Sequence, residues 1–257
     1  MPTYLGLFLG LLCLVGGIII IIIFFVMKDS EEFRGEMFWI YYGAEIVILT
    51  FAIVASVGAF VQIQKLSHSY NKPYKLDNLL SSITVFGSYV YAIFGVLSSL
   101  VSILNPQGDL NIQSVLVFVQ CALLLVQVSS QSKAQFHTYF YQAQTINIFS
   151  SYLNIFPTGM IISEASRRIC ATRAQQQAKP GRQIITFMLF ANITLWVLDT
   201  FMTHRDITQG VQTQFFGLLA WGIISRISLP LLIFYRFHSC VVLVEIWKNT
   251  YRTKESL

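Results

Sequence analysis

Apolar residues in this chain gather in long unbroken runs, and polar residues concentrate in the stretches between them. Six runs stand out, at about 5–27, 37–64, 78–104, 112–131, 183–203 and 213–247. Each reaches the roughly 20 helical residues that a hydrocarbon core of about 30 Å requires. None shows the period of two expected of a membrane barrel strand, so each must satisfy its backbone internally as a helix. The pattern predicts an all-α integral membrane protein built as a six-transmembrane-helix bundle.

The sixth run is too long for a plain crossing, since its 35 residues would make a helix of about 52 Å. A kink at Pro230, which leaves the carbonyl of Arg226 without its helical donor, plus an extension past the membrane is the expected solution. Gly6 and Gly10 have GxxxG spacing, and Gly87 and Gly95 lie about two turns apart on one face, both read as close helix contacts. KPGR at 179–182 stops one segment and launches the next, and NPQGD at 105–109 reads as a turn. Residues 132–166 break the regularity, being rich in Tyr, Phe, Asn and Gln without a clean helical stripe, as an interfacial segment or an unstructured insertion would be.

Composition agrees with the pattern. Hydrophobic residues make up 55% of the 257 and charged residues 11%, and the mean hydropathy is +0.63. The first run has no basic region before it and no small-residue cleavage site, so it reads as a retained span rather than a signal peptide. The four cysteines offer neither metal-ligand spacing nor a disulfide framework and read as packing residues. No nucleotide loop, HExxH or GxSxG occurs, so neither an enzyme nor a cofactor is expected.

The net charge of +5 follows topology. Loops 65–77, 132–182 and 248–257 hold twelve of the seventeen Lys and Arg, whereas the opposite loops hold Lys28, Arg34 and Arg205 with six of the twelve acids. That asymmetry places both ends of the chain in the cytoplasm. The basic residues form no dense face for nucleic acid.

A charge at mid-membrane costs about 2.5–3.5 kcal/mol on insertion scales, so each one within a run calls for a function or a partner. Glu45 is either a proton- or cation-handling group or the structural partner of an arginine. Asn192, Trp196 and Asp199 follow i, i+4, i+7 and share one helix face. Arg226 is expected to pair with Glu45 or Asp199. Tyr235 and His238 share a face, while Arg236 is turned about 100° from Tyr235 toward another partner. His238 is either a proton-passing imidazole or a neutral hydrogen-bonding group. Gln113, Gln120, Gln127 and Gln131 fall roughly on one side of the fourth helix, as polar glue or as the lining of a wet path.

The block PLLIFYRFHSCVVLVEIWKNTY closely resembles the last transmembrane helix of otopetrins, a family of proton-selective channels. KPGRQIITFMLFANITLWVLDTF looks like the penultimate otopetrin helix, and Gln131 followed by IISEASRR looks like the helix before it. The resemblance implies a twelve-helix channel of two six-helix halves that assembles as a homodimer in the plasma membrane. This chain then looks like the second, barrel-like half alone, a fragment whose partner is the N-terminal six-helix half.

By the same resemblance Gln131, Asn192 and Tyr235 form a polar triad facing the other half, with Gln127 the alternative glutamine. His238 is implied in proton conduction. Residues 132–157 look inserted after Gln131, cutting the fourth helix near its inner end. The expected function is an acid-responsive proton channel with Glu45 and His238 as titratable relays, Gln131, Asn192 and Tyr235 ordering water, and Arg236 anchoring its helix or repelling other cations. Lipid and protons are the remaining expected partners. The rivals are a non-conducting assembly subunit and, behind it, half of a secondary transporter, which would carry more Gly- and Pro-broken helices than Pro230 alone supplies.

Overall fold

The computed structural model describes residues 4–27, 33–68, 75–105, 112–140, 168–202 and 208–251. Six helices in it are long and apolar enough to cross a membrane: Leu5–Met27, Glu36–Ile63, Leu80–Leu104, Ile112–Gln131, Arg182–Met202 and Gly210–Thr250. They match the six apolar runs to within a few residues. The helices themselves are α1 (Leu5–Met27), α2 (Arg34–Ile63), α3 (Lys75–Leu104), α4 (Ile112–Phe140), α6 (Arg182–Met202) and α7 (Gly210–Thr250), with a six-residue α5 (Arg173–Ala178) and two-residue strands β1 (Ser67–His68) and β2 (Arg168–Ile169).

Five of the spans close into a ring. α2 packs on α4, α4 on α3, α3 on α7, α7 on α6, and α6 on α2. The first span stands outside the ring against α6, with a lesser contact to α2. Gly6 and Gly10 allow that approach, since a Cβ at Gly6 would sit 2.0 Å from the Gln183 carbonyl oxygen and one at Gly10 2.7 Å from the Phe190 ring. Gly87 and Gly95 do not serve one neighbour as their spacing suggested. Gly87 abuts Leu231 of α7 and Gly95 abuts Cys121 of α4, because eight residues turn the helix about 80° past whole turns.

Two expectations about helix ends are corrected. The fourth helix is not cut at Gln131 but runs on to Phe140; residues 141–157 of the expected insertion lie outside the described residues. In α7 the departure from helical dihedrals is at Gly217 (φ 78°, ψ 158°), while Pro230 sits within continuous helix. Such dihedrals are nearly confined to glycine. The Trp221 indole N–H donates to Gln209 Oε1 at 2.8 Å, although a straight helix would hold those residues about 18 Å apart. The chain therefore turns at Gly217, and the stretch after it makes the crossing.

A small polar assembly closes the end of the bundle where the basic loops lie. β1 pairs antiparallel with β2, and Thr172 opens α5 with a reciprocal capping box to Gln175. The Gln175 amide also donates to the Lys65 carbonyl at 2.9 Å. The Tyr251 hydroxyl donates to the Pro180 carbonyl at 2.6 Å, and the Gly181 N–H donates to Gln62 Oε1 at 2.7 Å. KPGR stops and restarts the chain as expected, with Lys179 (φ 40°) and Gly181 (φ 83°) in the left-handed region.

Candidate functional site

Inside the ring the polar side chains of four helices meet. From α2, Glu45 is 1% exposed and accepts from the Gln120 amide of α4 at 2.9 Å, with the Tyr41 hydroxyl beside it. From α6, Asp199 accepts from Arg236 Nε of α7 at 3.3 Å. A second guanidinium nitrogen of Arg236 donates to Gln127 Oε1, and the Gln127 amide donates to Asn192 Oδ1 at 3.5 Å. The Tyr235 hydroxyl donates to Gln131 Oε1 at 3.1 Å.

These contacts line up along α4. Gln120, Gln127 and Gln131 are all buried and span eleven residues, about 17 Å of helix. The two carboxyls, Glu45 and Asp199, are close enough to act on each other electrostatically, and Arg236 acts on both. Two acids and one permanent cation in a low-dielectric ring make a cluster that is neutral when it holds one proton. Glu45 Oε2, Arg236 Nη2 and Gln131 Nε2 are buried with no hydrogen-bond partner among the described residues. Polar atoms so placed are the usual seats of internal water.

Toward the other end of the ring, the Tyr42 hydroxyl donates to the Thr208 carbonyl at 2.6 Å, and the Trp221 ring packs on Tyr91 and Phe216 at 5.9 Å from each. Aromatic groups thus cover the cluster on that side. His238 is buried, one helical turn beyond Tyr235, and stacks on Phe234 at 6.1 Å.

Most of the residues singled out from the sequence converge here, with three changes. Arg226 is exposed on the outer face of α7 and does not reach Glu45 or Asp199; Arg236, ten residues or nearly three turns further along, takes Asp199 instead. Of the triad, Gln131 bonds Tyr235, but Asn192 bonds Gln127, the alternative glutamine. None of the triad faces outward, since all are at most 2% exposed inside a closed ring. Trp196 leaves the polar face it was expected to share and packs on Phe237 at 5.8 Å. Tyr42, Gln209 and Trp221 went unnoticed in the sequence, because their contacts depend on the turn at Gly217.

The sequence model of the family described as Otopetrin matches residues 2–147 and 132–237. The chain belongs to the otopetrin family. Among relatives of this otopetrin chain, Proton channel OtopLc of Drosophila melanogaster is 33% identical over 249 residues, covering 97% of this chain and 14% of the relative. Proton channel OTOP2 of Mus musculus is 24% identical over 271 residues, covering 93% of this chain and 47% of the relative. A shorter match to human Proton channel OTOP3 is 38% identical over 66 residues, 26% of this chain and 11% of the relative. The otopetrin sequence described here therefore spans less than half the length of each.

Proposed function

We propose that this chain is the second six-helix half of an acid-responsive, proton-selective channel. The observation that carries the reading is three hydrogen-bonded groups of buried polar side chains inside one ring: Glu45 with Gln120, Asp199 with Arg236, Gln127 and Asn192, and Gln131 with Tyr235. A bundle interior that only needs packing is apolar, and each buried charge is costly unless paired. Relatives named as proton channels support the same reading.

Glu45 is the group that takes and gives the proton within the ring, with Asp199 able to share it. Gln127, Gln131, Asn192 and Tyr235 orient water between the carboxyls and His238, which hands the proton toward the basic end. Arg236 holds a fixed positive charge on the path. A metal cation approaching it loses hydration and meets repulsion, whereas a proton can pass by exchange along hydrogen bonds. In this reading the basic loops and both chain ends face the cytoplasm of the plasma membrane. Its partner is the first six-helix half, the whole assembles as a homodimer, and residues 132–157 are an insertion into the family pattern.

The test is to record proton current on acidification of the bath, from cells expressing residues 1–257 alone and joined to an otopetrin first half. Current in the joined form that is lost on Glu45→Gln supports the reading. Absence of current from both forms, with both at the cell surface, overturns it in favour of a non-conducting assembly subunit.

A further inference from the structure

The basic end carries charges that the polar cluster does not use. Lys65, Arg173 and Lys248 are exposed and Lys179 and Arg182 half-buried. Among the described residues the ion pair is Arg236–Asp199, and none of these five is paired with a described carboxylate. Glu245, the described acid nearest them in sequence, is engaged by the Asn249 amide at 3.4 Å. Among the side chains the structure describes, this end presents these five cations and the one acid Glu245.

One part of it has the form of an amphiphile site. The Arg182 guanidinium lies over the Trp247 ring, 4.8 Å from its centroid, and Lys248 follows directly. From Trp247 an apolar stripe runs up the outside of α7 through Val244, Val241 and Phe237, each close to half exposed, at the i, i+3, i+4 spacing of one helix face. Arg182 is also the first residue of α6, whose 21 residues match the thickness of a hydrocarbon core. The Arg182–Trp247 pair therefore stands at headgroup depth, where tryptophan is at home.

We propose that Arg182, Trp247 and Lys248 dock an anionic phospholipid, with its phosphate and acidic headgroup on the two cations and its acyl chains along the Val244, Val241 and Phe237 stripe. The planar guanidinium can offer two parallel N–H donors to phosphate while its face stays on the indole. Stacking fixes its direction, which a free surface lysine lacks. The continuity of the cations with an apolar stripe favours a lipid over a soluble anion, because a free phosphate would gain nothing from the stripe.

The test reconstitutes the full chain in nanodiscs of phosphatidylcholine and phosphatidylserine, with one lipid at a time carrying brominated chains, and reads tryptophan fluorescence. Brominated phosphatidylserine is expected to quench more than brominated phosphatidylcholine at equal mole fraction, and Trp247→Phe to remove that difference. Arg182→Gln and Lys248→Gln should each lower the preference about fivefold, in samples whose helix content and elution are those of the parent. The pair Lys65→Gln with Arg173→Gln removes equal charge from outside the proposed site and should leave the preference in place. Equal quenching by the two lipids, a preference that survives Arg182→Gln combined with Lys248→Gln, or its loss in the Lys65 and Arg173 control overturns the assignment. So does full competition by inorganic phosphate at constant ionic strength. None of these readouts depends on proton conduction.

Discussion

Arg236 and Asp199 form an ion pair inside the helix ring, Nε to Oδ2 3.3 Å, with side chains 0% and 1% exposed. Removing either partner strands the other charge in a medium that cannot solvate it. Arg236→Met or Asp199→Leu alone should cost about 3–5 kcal/mol, and the two together much less than either. Thermal unfolding in detergent across this double-mutant cycle checks it; purely additive losses would show that the pair is not coupled.

Glu45→Gln keeps an oxygen to accept from the Gln120 amide but cannot carry the proton. One acid and one base then remain with Asp199 and Arg236, so stability should hold or rise. In the channel joined to its first half, proton current should fall about tenfold or more, as when a proton-transfer group is lost. Current measured over a series of bath pH values should also lose part of its acid dependence.

Tyr235→Phe removes the donor to Gln131 Oε1 from a side chain whose Nε2 has no partner among the described residues. A loss of about 1–2 kcal/mol is expected, again read by thermal unfolding. Asn192→Ala should lose less, because its contact to Gln127 is longer. A larger loss for Asn192→Ala would reorder the cluster.

At the basic end, burial holds the Tyr251 hydroxyl above the usual tyrosine pKa, reinforced by the Cys170 thiol and opposed by Arg182. A raised folded value means that this group's contribution to stability is complete below about pH 10, the unfolded value. It is lost as pH climbs through the folded one. The melting temperature should therefore fall on alkalinisation more steeply in the parent than in Tyr251→Phe, which should be less stable at neutral pH by about 1 kcal/mol for the lost bond to Pro180.

The six crossings were legible in the sequence because lipid exposure leaves helices apolar for their whole length. The inward side of α7 was less so. Periodicity put Tyr235 with His238 and turned Arg236 aside, yet a helix apolar all round does not declare which face is enclosed, and Arg226 and Arg236 could each claim Asp199. Closure of the ring decided it. The Pro230 expectation failed for a related reason: proline signals that a helix can bend, whereas the turn at Gly217 is set by Trp221 reaching back to Gln209, a contact invisible before folding. Gln120, Gln127 and Gln131 shared a face as read, but their separate partners on α2, α6 and α7 needed the packed bundle.

The α1–α6 contact gives a fifth prediction. Cys13 neighbours Thr194, so Thr194→Cys should form a disulfide with it on oxidation. Adding Gly6→Leu, whose side chain would run into the Gln183 backbone, should sharply reduce that cross-link on a reducing-versus-nonreducing gel.

That contact also sets an order of assembly. The Gly6 N–H donates to the Gln183 side chain 177 residues later, a separation that takes roughly 10–35 s to synthesise at typical rates. For that interval α1 has no α6 to lean on. It carries no charged residue from Leu5 to Met27, so it can wait in lipid alone. Glu45, Asp199 and Arg236 cannot wait so cheaply, and their helices have each other as neighbours. The first span thus has only its lesser contact to α2 until α6 is made, and ribosomal pausing after α1 should be tolerated where pausing between Asp199 and Arg236 would leave a carboxylate without its partner in the bilayer.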